Sequence, residues 1–212
     1  GTDSLKWDVA DNELPMWVAD MDFKTAPEIT EAIKKKVDLG VYGYSVIPGD
    51  WYSAYIGWWE RRHNFRMEEE WLMFVTGVIP AISSSVRKLT TPAENVVIMT
   101  PVYNIFFNSI LNNGRNVLQC QLKYEDGQYH IDFDDLERKL KEPQTTLLIL
   151  CNPQNPGGNI WSREDLMLIG DMAYENGVVV ISDEIHCDLT DPGTEYIPFA
   201  SVSDVCRDNS IT

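Results

Sequence analysis

The sequence predicts an α/β fold of three layers, with helices on both faces of a mostly parallel central sheet. Two patterns carry this. From residue 72 onward, short apolar runs alternate with segments of helical spacing. One of those runs, Thr146–Cys151, is apolar nearly throughout, as a strand buried on both faces must be. Size and composition agree. The 212 residues, 44% of them apolar and 24% charged, can bury about 70% of the surface the unfolded chain exposes. That balance excludes a disordered tail, a collagen-like fibre or a disulfide-stapled miniprotein.

In chain order, an irregular opening leads to Pro27–Leu39, whose proline start, apolar spacing and following Gly40 predict an amphipathic helix. A Gly/Pro/aromatic loop, Tyr42–Gly49, precedes a second helix over Trp51–His63. Strands are predicted at Leu72–Val75, Val96–Met99, Val117–Gln121, Thr146–Cys151 and Val178–Ser182. Helices are predicted at Pro80–Leu89, Tyr103–Asn112, Phe133–Lys141 and Arg163–Asn176. Lys123–His130, with Asp126-Gly127, reads as a polar turn. The expected organisation is an N-terminal arm and first helix over 1–40 and one domain over 41–212, without repeats or linkers.

Seventeen basic against 33 acidic residues leave a formal charge of −16, spread along the chain as a solubilising surface. Such a surface repels phosphate backbones and anionic lipid, so neither nucleic acid nor membrane is an expected partner. No apolar stretch is long enough to span a bilayer, and the first residues lack the apolar centre of a signal peptide. Cys120, Cys151, Cys187 and Cys206 show no metal-ligand spacing, so buried thiols and no metal site are expected. A reducing, cytoplasmic setting fits that usage.

Open parallel sheets place ligands beyond the carboxyl ends of their strands. The residues that follow each predicted strand are therefore the candidates. Thr76-Gly77-Val78-Ile79 forms a strand-to-helix turn where backbone N–H groups are free for an anion, although such turns are common without one. Tyr103, after the next strand, is either rim packing or a stacking platform. Asn152–Gly158 (NPQNPGG) is forced into a sharp path, as a plain turn or as a mouth presenting Asn155. Asp183, at the end of an apolar strand, must find a partner, either a neighbouring loop or a cation. His186, three residues on, is either a packing residue or part of the same site.

Taken together, Leu14–Phe23 (LPMWVADMDF), Tyr42–Ser45 (YGYS), Thr76–Ala81 (TGVIPA), Pro101-Val-Tyr103, Asn152–Gly158 and Ser182–His186 (SDEIH) resemble the pyridoxal-phosphate enzymes of fold type I. This is the class I/II aminotransferase superfamily, and the likeness is greatest to its MalY/PatB group of cystathionine β-lyases and cysteine-S-conjugate β-lyases. The resemblance covers essentially the whole chain and implies the large domain of that fold. It implies that Gly77, Val78 and Ile79 present N–H groups to the cofactor phosphate and that Tyr103 stacks on the pyridine ring. Asn155 is implied to bond the 3-oxygen, Asp183 to pair with the ring nitrogen, and His186 to lie near the 3-oxygen. Tyr44 is implied to reach the phosphate bound by a partner subunit, so that a homodimer shares its sites.

The implied reaction is a pyridoxal-phosphate-dependent C–S β-elimination, turning a small sulfur amino acid (cystathionine or a cysteine conjugate) into thiol, pyruvate and ammonia. A class I/II aminotransferase is the alternative within enzymes, and a non-catalytic cofactor-binding remnant the alternative outside them. A nucleotide-binding Rossmann domain is disfavoured because no GxGxxG follows the first strand. All nine lysines precede Asp183, whereas the resemblance implies a Schiff-base lysine some thirty residues after it. That lysine is expected beyond Thr212, with the C-terminal small domain absent from the 212 residues, which alone are expected to be inactive.

Overall fold

The computed structural model describes residues 3–212, which divide into two compact units, one ending at Val46 and one spanning Ile47–Thr212. In the first, a 3-10 turn at Leu5–Trp7 buries Lys6, whose Nζ donates to Asp20 O at 2.8 Å and pairs with Asp22 Oδ1 at 2.9 Å. Helix α1 (Pro27–Asp38) follows, begun by a proline whose missing N–H costs nothing in a first turn. None of its residues is buried. Leu14, Met16, Trp17, Met21, Phe23 and Tyr44 are also exposed.

The second unit opens with α2 (Gly49–His63), which ends on Asn64 in the left-handed region. Then come α3 (Val78–Leu89), β1 (Asn95–Thr100), α4 (Ile105–Leu111), β2 (Asn116–Gln121), β3 (Lys123–Glu125) and β4 (Gln128–His130). The chain continues through α5 (Phe133–Leu140), β5 (Thr145–Cys151), α6 (Arg163–Glu175), β6 (Val179–Asp183), α7 (Asp204–Asp208) and β7 (Ser210–Ile211). Five strands form one sheet in the order β2-β1-β5-β6-β7, with every pairing parallel. The expected α/β class with a parallel sheet is what the chain adopts.

The central strands β1, β5 and β6 are buried on both faces, and their side chains alternate between two apolar layers. Val97, Met99, Leu148, Leu150 and Val180 pack with α5, α6 and Phe199 on one face. Val96, Ile98, Leu147, Ile149, Cys151 and Ile181 pack with α3 and α4 on the other. Fully buried side chains of this size each contribute about 1.5–3 kcal/mol. A third cluster, Trp59, Met67, Cys187 and Tyr196, joins α2 to the segment after β6.

Leu72–Val75, expected to be a strand, pairs with nothing among the described residues. Leu72 packs against the third cluster, while Met73, Phe74 and Val75 are exposed. An apolar run becomes a strand only where a ladder partner takes up its N–H and C=O groups. The expected turn at Lys123–His130 is a two-stranded antiparallel hairpin, with Tyr124 opposite Tyr129 across Asp126-Gly127. Helix α3 starts two residues before the expected Pro80, which brings Val78 and Ile79 into its first turn. All four cysteines are buried and free, as expected. Among the described residues, no helix is long and apolar enough to cross a membrane.

Candidate functional site

The parity of the sheet decides which side chains meet. On β6, Val180 and Ser182 share one face, while Ile181 and Asp183 share the other, the face covered by α3 and α4. Asp183 is the last residue of β6 and lies opposite Cys151 of β5, and its carbonyl accepts from Asn152 N at 3.0 Å. Its carboxylate is buried and accepts from Ile185 N at 3.2 Å. No ion pair reaches it among the described residues. Burial pushes it above the usual carboxylate range, opposed by the Ile185 amide and by His186 nearby.

Helix α3 begins on the same face. Val78 and Ile79 pack against the layer that holds Cys151 and Ile181. Gly77 is the N-cap residue and supplies no side-chain cap, so the first N–H groups of α3 have no hydrogen-bond partner among the described residues. Tyr103 follows β1, is 37% exposed and meets Phe106 edge-on at 5.9 Å. Phe106 belongs to the α3/α4 layer, which puts Tyr103 on that side too.

The loop after β5 is tied down from several directions. Asn152 Oδ1 accepts from Trp161 N at 3.1 Å, and Trp161 Nε1 donates to Cys151 O at 3.2 Å. Gln154 donates to Pro101 O, joining this loop to the segment that carries Tyr103. Gly157 N donates back to Gln154 Oε1, and Asn159 Nδ2 donates to Tyr129 O at 2.9 Å. The Asn155 N–H lies against the Cys151 thiol, which burial pushes up to about 12. Asn155 is half-buried at the mouth so formed.

Tyr103, Asn155, Asp183 and His186 thus follow the carboxyl ends of β1, β5 and β6, while Gly77, Val78 and Ile79, with no strand before them among the described residues, open the helix that packs on the Asp183 face. Tyr44 lies in the first unit and is fully exposed. Three of the four lysines of the second unit are held in ion pairs. Lys88 is in the last turn of α3, while Lys123, Lys139 and Lys141 pair with Asp132, Asp135 and Glu137.

Several contributors were not singled out by sequence reasoning: Gln154, Asn152, Trp161 and Glu184. Their partners lie up to 53 residues away, so no local spacing announces them. Glu184 has the same parity as Ser182, the one available hint. A convergence of His63, Cys187 and Asp188, with ligating atoms within 4.8 Å of one another, also escaped notice. Its carboxylate is already occupied, by His63 Nε2 at 3.0 Å and Trp58 Nε1 at 3.0 Å, with Arg62 Nε at 3.8 Å. Burial pushes the Cys187 thiol up to about 12, far from thiolate. The group latches the segment after β6 onto α2.

The donor set suits a flat, anionic, cationic-ringed cofactor: uncapped helix N–H groups, an aromatic platform, and a buried carboxylate without an ion-pair partner among the described residues. The family described as "Aminotransferase class I and II" matches residues 13–207. The chain is 46% identical over 218 residues to cystathionine beta-lyase PatB of Bacillus subtilis (strain 168), covering all of this chain and 56% of that protein. It is 35% identical over 210 residues to Protein MalY of Escherichia coli (strain K12), covering 96% and 54%. Among solved structures it is similar to cystalysin from Treponema denticola, which contains a pyridoxal 5′-phosphate cofactor. That match has a TM-score of 0.93 at 36% identity and covers 98% of this chain and 55% of the other. The chain spans about half the length of the curated relatives it matches.

Proposed function

The chain belongs to the class I and II aminotransferase family, and from that premise we propose that the complete protein is a pyridoxal-phosphate-dependent carbon–sulfur β-lyase acting on a small sulfur amino acid. The observation that carries the reading is Asp183, a buried carboxylate without an ion-pair partner among the described residues. It shares its face of the sheet with the uncapped start of α3. The name of the relative PatB, cystathionine beta-lyase, supports the lyase branch, and the cofactor that cystalysin contains supports pyridoxal phosphate.

In this reading the N–H groups of Gly77, Val78 and Ile79 bind the phosphate, aided by the positive end of α3. Tyr103 keeps the ring in its plane, and Asn155 donates to the ring's 3-oxygen, with His186 beside it. Asp183 holds a proton on the ring nitrogen, and the ion pair so formed removes the cost of an isolated buried charge. Pyridoxal phosphate supplies, when bound, a sink for the electrons released at the substrate's α-carbon. The packed strands β1, β5 and β6 give these groups a rigid base, which limits reorganisation during the reaction. Tyr44 reaches the phosphate site of a partner subunit, making the working unit a homodimer.

The test is to incubate the complete protein with pyridoxal phosphate and cystathionine, and to follow pyruvate and free thiol. Stoichiometric release of both is expected. Accumulation of the aminated cofactor without pyruvate would instead establish aminotransfer, the reading that the family's description favours.

A further inference from the structure

The segment 184–199 leaves the end of β6 and returns to the sheet at the 3-10 turn Phe199–Ser201, so its path could tilt the last residue of the strand. Its two ends are drawn together by one side chain. Glu184 is buried, and its Oε1 accepts from Ser182 Oγ at 2.9 Å and from Phe199 N at 2.9 Å. Phe199 is itself fully buried in the layer that packs β5 and β6, so this tie has a fixed anchor. Oε2 lies beside the Tyr196 hydroxyl, and both atoms are buried without completing a hydrogen bond in the observed geometry. Farther along, Asp188 fastens the same excursion to α2 through His63 and Trp58. A carboxyl with this degree of burial is costly unless it does something in return.

We propose that Glu184 is the positioning residue for Asp183. By gathering Ser182 Oγ and Phe199 N onto one oxygen, it closes the excursion at its base and sets the direction in which the adjacent carboxylate leaves the strand. Ser182 and Glu184 flank Asp183 and point to the opposite face, so the tie holds the backbone on both sides of it without entering the site. The role rests on the functional reading above, in which Asp183 meets the cofactor's ring nitrogen.

The experiment uses the complete protein and three variants, Glu184→Leu, Glu184→Gln and Ser182→Ala. Pyridoxal phosphate is titrated, and the visible band of the bound cofactor is followed against pH. Glu184→Leu keeps the bulk and removes the acceptor. It is expected to weaken cofactor binding by roughly 10-fold or more, the scale usual for lost supporting partners. It is also expected to shift the pH midpoint of the band, because a misaimed Asp183 holds the ring proton less well. Glu184→Gln retains an Oε1 acceptor and is expected to restore both affinity and midpoint. A role confined to folding would not move the midpoint in the folded, loaded protein. Should Glu184→Leu fail to fold, Ser182→Ala carries the test, with both shifts in the same direction and smaller. A folded Glu184→Leu, or in its place Ser182→Ala, with wild-type affinity and midpoint overturns the proposal. So does a Glu184→Gln as impaired as Glu184→Leu. Wild-type protein that takes up no cofactor at all overturns the functional reading and this role with it, an outcome separable from indifferent variants on a loaded wild type.

Discussion

Asp183 and Glu184 are consecutive carboxylic acids, both buried, with opposite partners. Asp183 accepts from one amide and has no ion-pair partner among the described residues, while Glu184 accepts from a hydroxyl and an amide. Replacing Asp183 by Asn in the complete protein is expected to leave the fold intact and to lower lyase turnover by about 10²–10³-fold. That corresponds to about 3–4 kcal/mol, within the range lost when a buried pair is broken. Steady-state kinetics beside a circular-dichroism spectrum check it. Glu184 gives a stability prediction. Burial pushes its carboxyl from 4.5 up to about 7, despite the Phe199, Tyr196 and Ser182 groups that favour its charge. Between those values the folded state holds a proton that the unfolded state has released. Its contribution is therefore complete below about pH 4.5 and lost as pH rises through about 7, by up to roughly 3 kcal/mol. Urea midpoints of the complete protein from pH 5 to 8 are expected to fall more steeply for wild type than for Glu184→Gln. Asp183 was legible from the sequence because a carboxylate ending an apolar run demands a partner. Glu184 was not, because its acceptor role depends on Phe199, 15 residues away.

Helices and strands set how tightly these residues are held. Helix α6 starts with a capping box, Ser162 and Asp165 each bonding the other's backbone, and runs against α7 through Gly170. A methyl group at Gly170 would fall on Cys206 Sγ, a buried atom. Gly170→Ala is expected to destabilise the complete protein by about 1–3 kcal/mol, and Cys206→Ala in the same chain to recover part of that loss. Denaturation of both single variants and the double variant checks the coupling. At Gly157 an added methyl group would meet Gln154 Oε1 at 2.6 Å and Tyr129 Cδ2 at 2.7 Å. Gly157→Ala is therefore expected to weaken cofactor binding several-fold, by displacing the loop that carries Asn155. Helices α1 to α6 were legible to within a few residues, since periodicity and caps are local signals, whereas the five-residue α7 was too short to show a period. The Leu72–Val75 run was misread because its composition resembles a strand while pairing is not a local property.

At the scale of the whole molecule, the reading of Tyr44 predicts that two subunits complete each other's sites. A Tyr44→Phe protein and an Asp183→Asn protein, each impaired alone, are expected to regain activity when refolded together. One site of the mixed dimer then receives both native residues. Mixing without any gain would show that each subunit carries its own complete site. The sequence by itself determined the α/β class, the parallel sheet, the buried cysteines and the residues that follow β1, β5 and β6. These follow from the period of apolar residues and from the need of a buried charge for a partner. Only the tertiary structure decided the strand order β2-β1-β5-β6-β7 and the parity that puts Asp183 on the α3 face and Glu184 on the other. It alone showed the ties from Gln154 to Pro101 and from Glu184 to Phe199. The reason is physical: a hydrogen bond between residues far apart in the chain leaves no periodic trace, and exists only once packing has brought its two ends together.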